Sequence, residues 1–131
     1  EYVVDRIGPL LNKRLAKSFT KARIMILGIA YKRDIKDVRE SPALDVMKLL
    51  ETKGAKISYN DPYVSDIVWN GGKLKSQKLT KSALNEADLT VIITDHSDYD
   101  YQWIVNNSKV VFDTRNACKN VNKARSKIEL L

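Results

Sequence analysis

Several residue types that build active sites or cross-links are scarce in this sequence. Its 131 residues include one cysteine, Cys118, and one histidine, His96. A single cysteine excludes an internal disulfide and fits a reducing cytoplasm, and one cysteine with one histidine is too small a set for a structural zinc site. No apolar run approaches the roughly 20 residues of a membrane helix, and no secretion leader opens the chain. We therefore expect a cytoplasmic protein without a metal site and without a membrane-spanning segment.

Positive charge is abundant but uneven along the chain. The formal net charge is +7. Residues 1–60 contain 13 lysines and arginines against 7 acidic residues, whereas residues 61–131 contain 10 against 9. Such a basic half is compatible with nucleic acid, with a single diphosphate or with a solvated lysine-rich surface. A nucleic-acid-binding module is the less favoured alternative, because aromatic residues do not interleave with the basic ones and no helix-turn-helix, zinc or RNP pattern is present.

Short apolar segments alternate with helical patterns over the length of a single domain. The predicted strands are residues 23–28, 56–60, 89–94 and 109–113. Gly8-Pro9 is predicted to break the opening segment and to start a helix that ends near Ser18. Further helices are predicted from Ser41-Pro42 to Gly54, over 82–86, over 99–106 and in the tail from Ala117, with a small hairpin at Asn70-Gly71-Gly72.

Strands that alternate with helices predict a three-layer α/β fold, with a mainly parallel sheet and helices on both faces. Ligands of such sheets bind beyond the carboxyl ends of the strands. Tyr31-Lys32, Asp61, Asp95 and Arg115 each follow a predicted strand within a few residues. We therefore expect these side chains to lie at one edge of the sheet.

The turn after the first strand departs from the dinucleotide-binding pattern G-x-G-x-x-G. It reads Gly28-Ile29-Ala30-Tyr31-Lys32-Arg33, with only the first glycine in place, and the next helix starts only near Ser41. The backbone therefore cannot close on a pyrophosphate in the usual way. We expect side-chain cations to hold any phosphate instead.

Residues 28–43, GIAYKRDIKDVRESPA, closely resemble the signature of the C-terminal domain of the UDP-glucose/GDP-mannose dehydrogenase family. The opening Tyr2–Arg6 is similar to the end of that family's long central helix. Further blocks follow in family order over nearly the whole chain: Gly54-Ala55, Tyr59–Tyr63, Thr94–His96 and Asp113–Asn116.

The resemblance implies a Rossmann-like domain at residues 21–131 that binds the UDP part of a sugar nucleotide, preceded at residues 1–20 by the end of the central linker and dimerisation helix. Residues 95–100 and 113–116 look most like the branch that acts on UDP-N-acetylhexosamines, with UDP-glucose as the nearest rival. Family members oxidise the sugar C6 hydroxyl to a carboxylate with two NAD and a cysteine-bound intermediate, on parts that precede the central helix. The resemblance thus implies a cytoplasmic homodimer that makes a uronate for capsule or other surface polysaccharide, and a 131-residue piece that is inactive alone.

Residue by residue, the resemblance assigns Lys32 and Arg115 to the substrate, with Tyr31 lining the same pocket. The alternative is a surface lysine and a helix-capping arginine. Arg39 matches the family arginine that reaches the NAD bound on the other domain. Its alternative is a local ion pair with Asp37 or Glu40.

Cys118 and His96 are not expected to be catalytic. The nucleophile of the family belongs to a segment before the central helix, so Cys118 is interpreted as a small core or surface thiol. Asp95-His96-Ser97 are contiguous, whereas the members of a catalytic triad come from separate elements. A domain that serves only dimerisation or regulation is a further alternative.

Overall fold

The computed structural model describes residues 2–131 as alternating helices and strands. In chain order the elements are α1 (Tyr2–Leu15), β1 (Arg23–Leu27), α2 (Pro42–Thr52), β2 (Lys56–Asn60), β3 (Asp66–Trp69), β4 (Gly72–Lys75), α3 (Lys81–Glu86), β5 (Leu89–Ile92), α4 (Tyr101–Asn107), β6 (Val111–Asp113) and β7 (Ile128–Leu130), with a 3₁₀ turn at Arg125–Lys127. Within residues 2–131, no helix has both the length and the apolar character needed to cross a bilayer.

Five of the strands form one parallel sheet in the order β2-β1-β5-β6-β7. The chain first moves outward from β1 to β2 and then returns to build the other side of the sheet. The direction of winding therefore reverses between β1 and β5. In doubly wound sheets, this switch point is where the loops diverge and leave a crevice at the carboxyl edge.

Helices cover both faces of the sheet, which confirms the predicted three-layer architecture. Ile24 and Ile26 of β1 pack on the side of α1 and α2, whereas Met25 and Leu27 pack on the side of α3 and α4. This alternation follows from the two-residue period of a strand. Because both faces are buried, β1 reads as a continuous apolar run.

The start of α2 follows from its sequence. Ser41 caps the helix by accepting a hydrogen bond from the backbone N–H of Ala43, and Pro42 occupies the first turn. The helix stops before Gly54, which has a φ of +100°. The predicted hairpin is also confirmed, since Asn70 and Gly71 connect β3 to β4 with φ angles of +51° and +78°, the positive values that a two-residue hairpin turn requires.

The predicted break at Gly8-Pro9 is wrong, because α1 runs through both residues. An interior proline costs about 3 kcal/mol, but α1 buries Val4, Ile7, Leu10 and Leu11 in the main core. Each such burial contributes about 1.5–3 kcal/mol, so packing outweighs the proline. The helix ends at Leu15, earlier than predicted, and Phe19 folds back so that a Cβ at Gly8 would lie 2.9 Å from its ring.

The predicted helix in the tail is also wrong. Apart from the 3₁₀ turn, the tail forms β7, which pairs with β6 through Val111 and Ile128 and extends the sheet to five strands. Ala117, Val121, Ala124, Ile128 and Leu131 recur at helical spacing, which favours a helix locally. The pairing of β7 with β6 overrides this local preference. The tail therefore completes the sheet edge.

Candidate functional site

Two loops meet at the carboxyl edge of the sheet where the winding reverses. One follows β1 and contains residues 28–41; the other follows β5 and contains residues 93–100. They are joined by an ion pair between Arg33 and Asp95 and by hydrogen bonds between Asp34 and Ser97. The loop after β6 approaches the same place through Arg115. The sheet thus brings together the strand ends that the sequence predicted to carry a site.

Gly28 allows the two loops to approach closely. It has a φ of +81°, and a Cβ at this position would lie 2.2 Å from the carbonyl oxygen of Thr94. The Thr94 hydroxyl donates a hydrogen bond of 2.7 Å to the carbonyl of Ala30. Only glycine combines this backbone conformation with this separation. The first glycine of the loop therefore serves loop packing.

Asp61, at the end of β2, fixes the first half of the loop after β1. Its side chain is fully buried. One carboxylate oxygen accepts hydrogen bonds from the N–H groups of Ile29 (2.8 Å) and Ala30 (3.0 Å), and the other accepts from the N–H of Tyr63 (2.8 Å). Burial by itself would raise the pKa of Asp61, but hydrogen bonds from His96 and from these backbone groups outweigh it and lower the pKa.

His96 fixes the second half of the same loop. The ring is fully buried, its Nε2 lies 2.9 Å from Asp61 Oδ2, and its Nδ1 accepts a hydrogen bond of 2.8 Å from the N–H of Asp34. These partners select the neutral tautomer with the proton on Nε2. The ring thus connects Asp61, which holds the start of the loop, to Asp34 in the middle of the loop. We interpret His96 as a positioning residue.

The residues assigned by resemblance lie on this pinned loop and on its neighbour. Tyr31 and Lys32 are exposed at the tip, with the Lys32 ammonium 5.6 Å from the centroid of the Tyr31 ring. Arg115 follows β6, and its Nε lies 3.8 Å from Asp95 Oδ1. Asp113 orients this segment, because its buried carboxylate accepts hydrogen bonds from the N–H groups of Arg115, Ala117 and Cys118. The structure therefore places these candidates on adjacent loops.

The clefts beside Arg115 are faced by a different residue of the first loop. Two adjoining open clefts share Arg33, Asp95, Arg115 and Asn116 in their walls, and Lys119 lines one of them. Arg33 Nη2 contacts Asp95 Oδ2 at 2.6 Å. Sequence reasoning singled out Lys32 and did not select Arg33, which lines both clefts. The available signal was weak, since Arg33 is one of many cations in the basic half of the chain.

Arg39 forms an ion pair with Asp37, as the alternative interpretation of this residue predicted. Its guanidinium contacts both carboxylate oxygens of Asp37, with an Nη2–Oδ2 distance of 2.8 Å and an Nε–Oδ1 distance of 3.1 Å. These hydrogen bonds lower the pKa of Asp37 to about 2. The Arg39 side chain is nevertheless 87% exposed, so the pair leaves it at the surface.

Cys118 is a buried thiol in the core. It is fully buried, and burial raises the pKa of its thiol to about 12. The thiolate is the reactive form, and a pKa this high keeps the group protonated at neutral pH. This agrees with the interpretation drawn from the sequence.

Residues 25–120 match the model of the UDP-glucose/GDP-mannose dehydrogenase family, UDP binding domain. The UDP-N-acetyl-D-mannosamine dehydrogenase of Yersinia pestis is 34% identical and is matched over 83% of this chain and 29% of its own length. That of Methanococcus maripaludis strain C7 is 31% identical, over 99% of this chain and 31% of its own length. The chain thus spans less than a third of these relatives.

Solved structures agree on the fold. An NDP-N-acetyl-D-galactosaminuronic acid dehydrogenase from Methanosarcina mazei Go1 superposes with a TM-score of 0.76 at 21% identity, covering 99% of this chain and 28% of that one. A UDP-glucose dehydrogenase from Pyrobaculum islandicum superposes with a TM-score of 0.71 at 25% identity, covering 98% of this chain and 28% of that one. Together with the match over residues 25–120, these findings establish that the chain belongs to the UDP-glucose/GDP-mannose dehydrogenase family and corresponds to its UDP binding domain.

Proposed function

We propose that this chain binds the UDP part of a UDP-N-acetylhexosamine for an NAD-dependent nucleotide-sugar 6-dehydrogenase. The observation that carries the proposal is a cleft lined by Arg33, Arg115 and Lys119, at the carboxyl edge of a domain that matches a UDP-binding family. The choice of sugar is supported by relatives named UDP-N-acetyl-D-mannosamine and NDP-N-acetyl-D-galactosaminuronic acid dehydrogenase. UDP-glucose is the second candidate, because a UDP-glucose dehydrogenase has a similar structure.

In this proposal, the redox chemistry is carried out by the rest of the enzyme. Residues 1–20 would be the end of its central linker and dimerisation helix, and residues 21–131 its UDP-sugar-binding domain. Because the loop after β1 lacks the second and third glycines of a dinucleotide fingerprint, NAD would be held mainly by an N-terminal domain. The parent enzyme would be a cytoplasmic homodimer that supplies a uronate for surface polysaccharide, and the 131-residue chain alone would be inactive.

The loops would hold the diphosphate through side chains. A diphosphate carries about two negative charges, and charge-assisted hydrogen bonds are roughly twice as strong as neutral ones. Arg115 is oriented by Asp113 at the cleft, and Lys32 is exposed beside Tyr31 at the tip of the first loop. Since Asp61 and His96 fix that loop beforehand, little ordering would be required when the ligand binds.

Calorimetry of the chain tests the diphosphate site. We expect UDP to bind more tightly than uridine, and Arg115→Ala to weaken UDP binding about tenfold or more, since a hydrogen bond to a charged group contributes about 1.5–3 kcal/mol. Lys32→Ala should act in the same direction. The control is Lys73→Ala, which removes a positive charge from the exposed hairpin. Equal affinities of the unsubstituted chain for UDP and uridine would contradict the proposal.

Arg39 gives a separate test in the full-length enzyme. If its exposed guanidinium reaches NAD across the interdomain cleft, Arg39→Ala should raise the KM for NAD and leave the UDP affinity of the 131-residue chain unchanged. If Arg39 only stabilises its own loop through Asp37, the substitution should lower the Tm of the chain and disturb NAD and UDP-sugar kinetics alike. The second pattern would remove Arg39 from the cofactor site.

A further inference from the structure

Arg33, Asp95 and Arg115 form a mixed-charge cluster between the two clefts. Each arginine approaches a different oxygen of the carboxylate: Arg33 Nη2 lies 2.6 Å from Oδ2, and Arg115 Nε lies 3.8 Å from Oδ1. The two guanidinium side chains are 59% and 56% exposed, whereas that of Asp95 is 11% exposed. All three side chains line the clefts, and the two cations are much more exposed than the anion.

Most donors of the two guanidiniums have no partner among residues 2–131 and are available to a ligand. A guanidinium has five N–H donors, and Arg33 directs a single nitrogen, Nη2, at Asp95. Arg115 Nε lies beyond hydrogen-bond distance from Asp95 Oδ1, and this oxygen has no hydrogen-bond partner among residues 2–131. The three groups together carry a net charge of +1. A cleft lined by two guanidinium groups suits a diphosphate, which carries several oxygens on two adjacent phosphorus atoms.

Asp95 would repel that anion if it stood alone. An unpaired carboxylate beside a phosphate is unfavourable, and the repulsion is larger where water is partly excluded. The contact with Arg33 neutralises Asp95 and holds the guanidinium at the cleft opposite Arg115. Arg33 therefore has two ways to favour an anion, because it donates hydrogen bonds and it screens the carboxylate.

From this geometry we propose that Arg33 joins Arg115 in binding the diphosphate of the nucleotide, and that Asp95 positions Arg33 for this contact. The inference rests on the proposed UDP site. It adds to that site a diphosphate-binding residue, Arg33, that the family resemblance did not assign. Lys32 lines neither cleft, and its ammonium lies over the Tyr31 ring. Arg33, three residues before Lys36 in the same exposed loop, is the residue that faces Arg115.

Calorimetry on the 131-residue chain, with UDP and uridine as ligands, tests the inference. We expect Arg33→Ala to weaken UDP binding at least tenfold, the effect of losing one charge-assisted contact, and to leave uridine binding unchanged. The matched control, Lys36→Ala, removes the same charge from the same loop at an exposed position and should change UDP affinity less than about twofold, as expected for a screened charge.

A double substitution tests the screening role. In the Arg33→Ala background, Asp95→Asn removes the carboxylate that Arg33 no longer neutralises. UDP affinity should therefore recover severalfold, although the ion pair between Asp95 and Arg115 is lost as well. A merely structural Arg33 would give no such recovery and would weaken UDP and uridine binding equally; either result overturns the inference. An Arg33→Ala variant that behaves like Lys36→Ala overturns it as well and leaves the UDP site intact. If the unsubstituted chain does not distinguish UDP from uridine, the proposed function itself is wrong.

Discussion

Replacing Gly28 by alanine should lower the free energy of unfolding by about 3 kcal/mol or more. The left-handed backbone conformation costs a non-glycine residue about 1–2 kcal/mol, and Gly28 has a φ of +81°. In addition, the new methyl group would lie 2.2 Å from the Thr94 carbonyl oxygen, and such overpacking costs about 1–3 kcal/mol. Relief of the contact would push the loop after β1 away from the loop after β5. Urea unfolding measures the loss.

Gly71 offers a matched control for this substitution. Its φ of +78° is nearly the same, but a Cβ there would meet no atom of the described residues, 2–131, within 4 Å. Gly71→Ala should therefore cost only the backbone contribution, about 1–2 kcal/mol. Equal losses for the two variants would mean that the contact with Thr94 does not constrain the loops.

Asp61→Asn should destabilise the chain by about 3 kcal/mol, because the amide cannot replace the carboxylate. Backbone N–H groups point at both oxygens, from Ile29 and Ala30 at Oδ2 and from Tyr63 at Oδ1. Whichever way the asparagine amide is turned, its NH₂ faces a donor. His96 cannot compensate by changing tautomer, since a proton on Nδ1 would meet the N–H of Asp34. Each buried donor left unpaired costs about 1–3 kcal/mol.

The effect of Asp61→Asn should also depend on pH. The pKa of Asp61 in the folded chain lies below its ordinary value of 3.8. The stabilisation is therefore fully present above about pH 4 and is lost as the pH falls through the lower folded pKa. Urea unfolding at pH 7 and pH 3 should show the difference between the two proteins shrinking at the lower pH. Asp66→Asn, at an exposed position in β3, should change stability by less than about 0.5 kcal/mol at pH 7.

The parts of the fold that follow from neighbouring residues were predictable. The apolar run of β1 needs two buried faces, Ser41-Pro42 supplies both a cap and a first helical residue, and Asn70-Gly71 accepts positive φ angles. Each signal is complete within a few positions of the chain. Such segments keep their structure because the fold agrees with their local preference.

The wrong predictions concern segments whose structure depends on distant partners. Pro9 remains in α1 because the residues on both sides of it pack on the sheet. The tail becomes β7 because it pairs with the free edge of β6. In this pairing Ile128 lies opposite Val111, which is 17 residues earlier in the chain. Neither partner can be identified from the local sequence.

The sequence predicted where the candidate site lies but not which side chains form it. Parallel strands place their carboxyl ends at one edge, so the meeting of Asp61, Asp95 and Arg115 there followed from topology. Which of the adjacent cations Lys32 and Arg33 faces the cleft depends on the loop conformation. That conformation is set by Asp61 and His96, which are 35 residues apart in the sequence. In the sequence alone, Asp61 looks like a turn residue and His96 like an isolated histidine.

The last strand, β7, contacts the first helix, α1, so the two ends of the described chain lie together. Arg14 in α1 forms an ion pair with Glu129 in β7 at 3.2 Å, and Arg6 donates a hydrogen bond of 3.0 Å to the carbonyl of Leu130. The first helix and the final strand therefore support each other. If α1 leads to the redox half of the enzyme, as we propose, the helix that makes this connection directly contacts the strand that lines the Arg115 cleft.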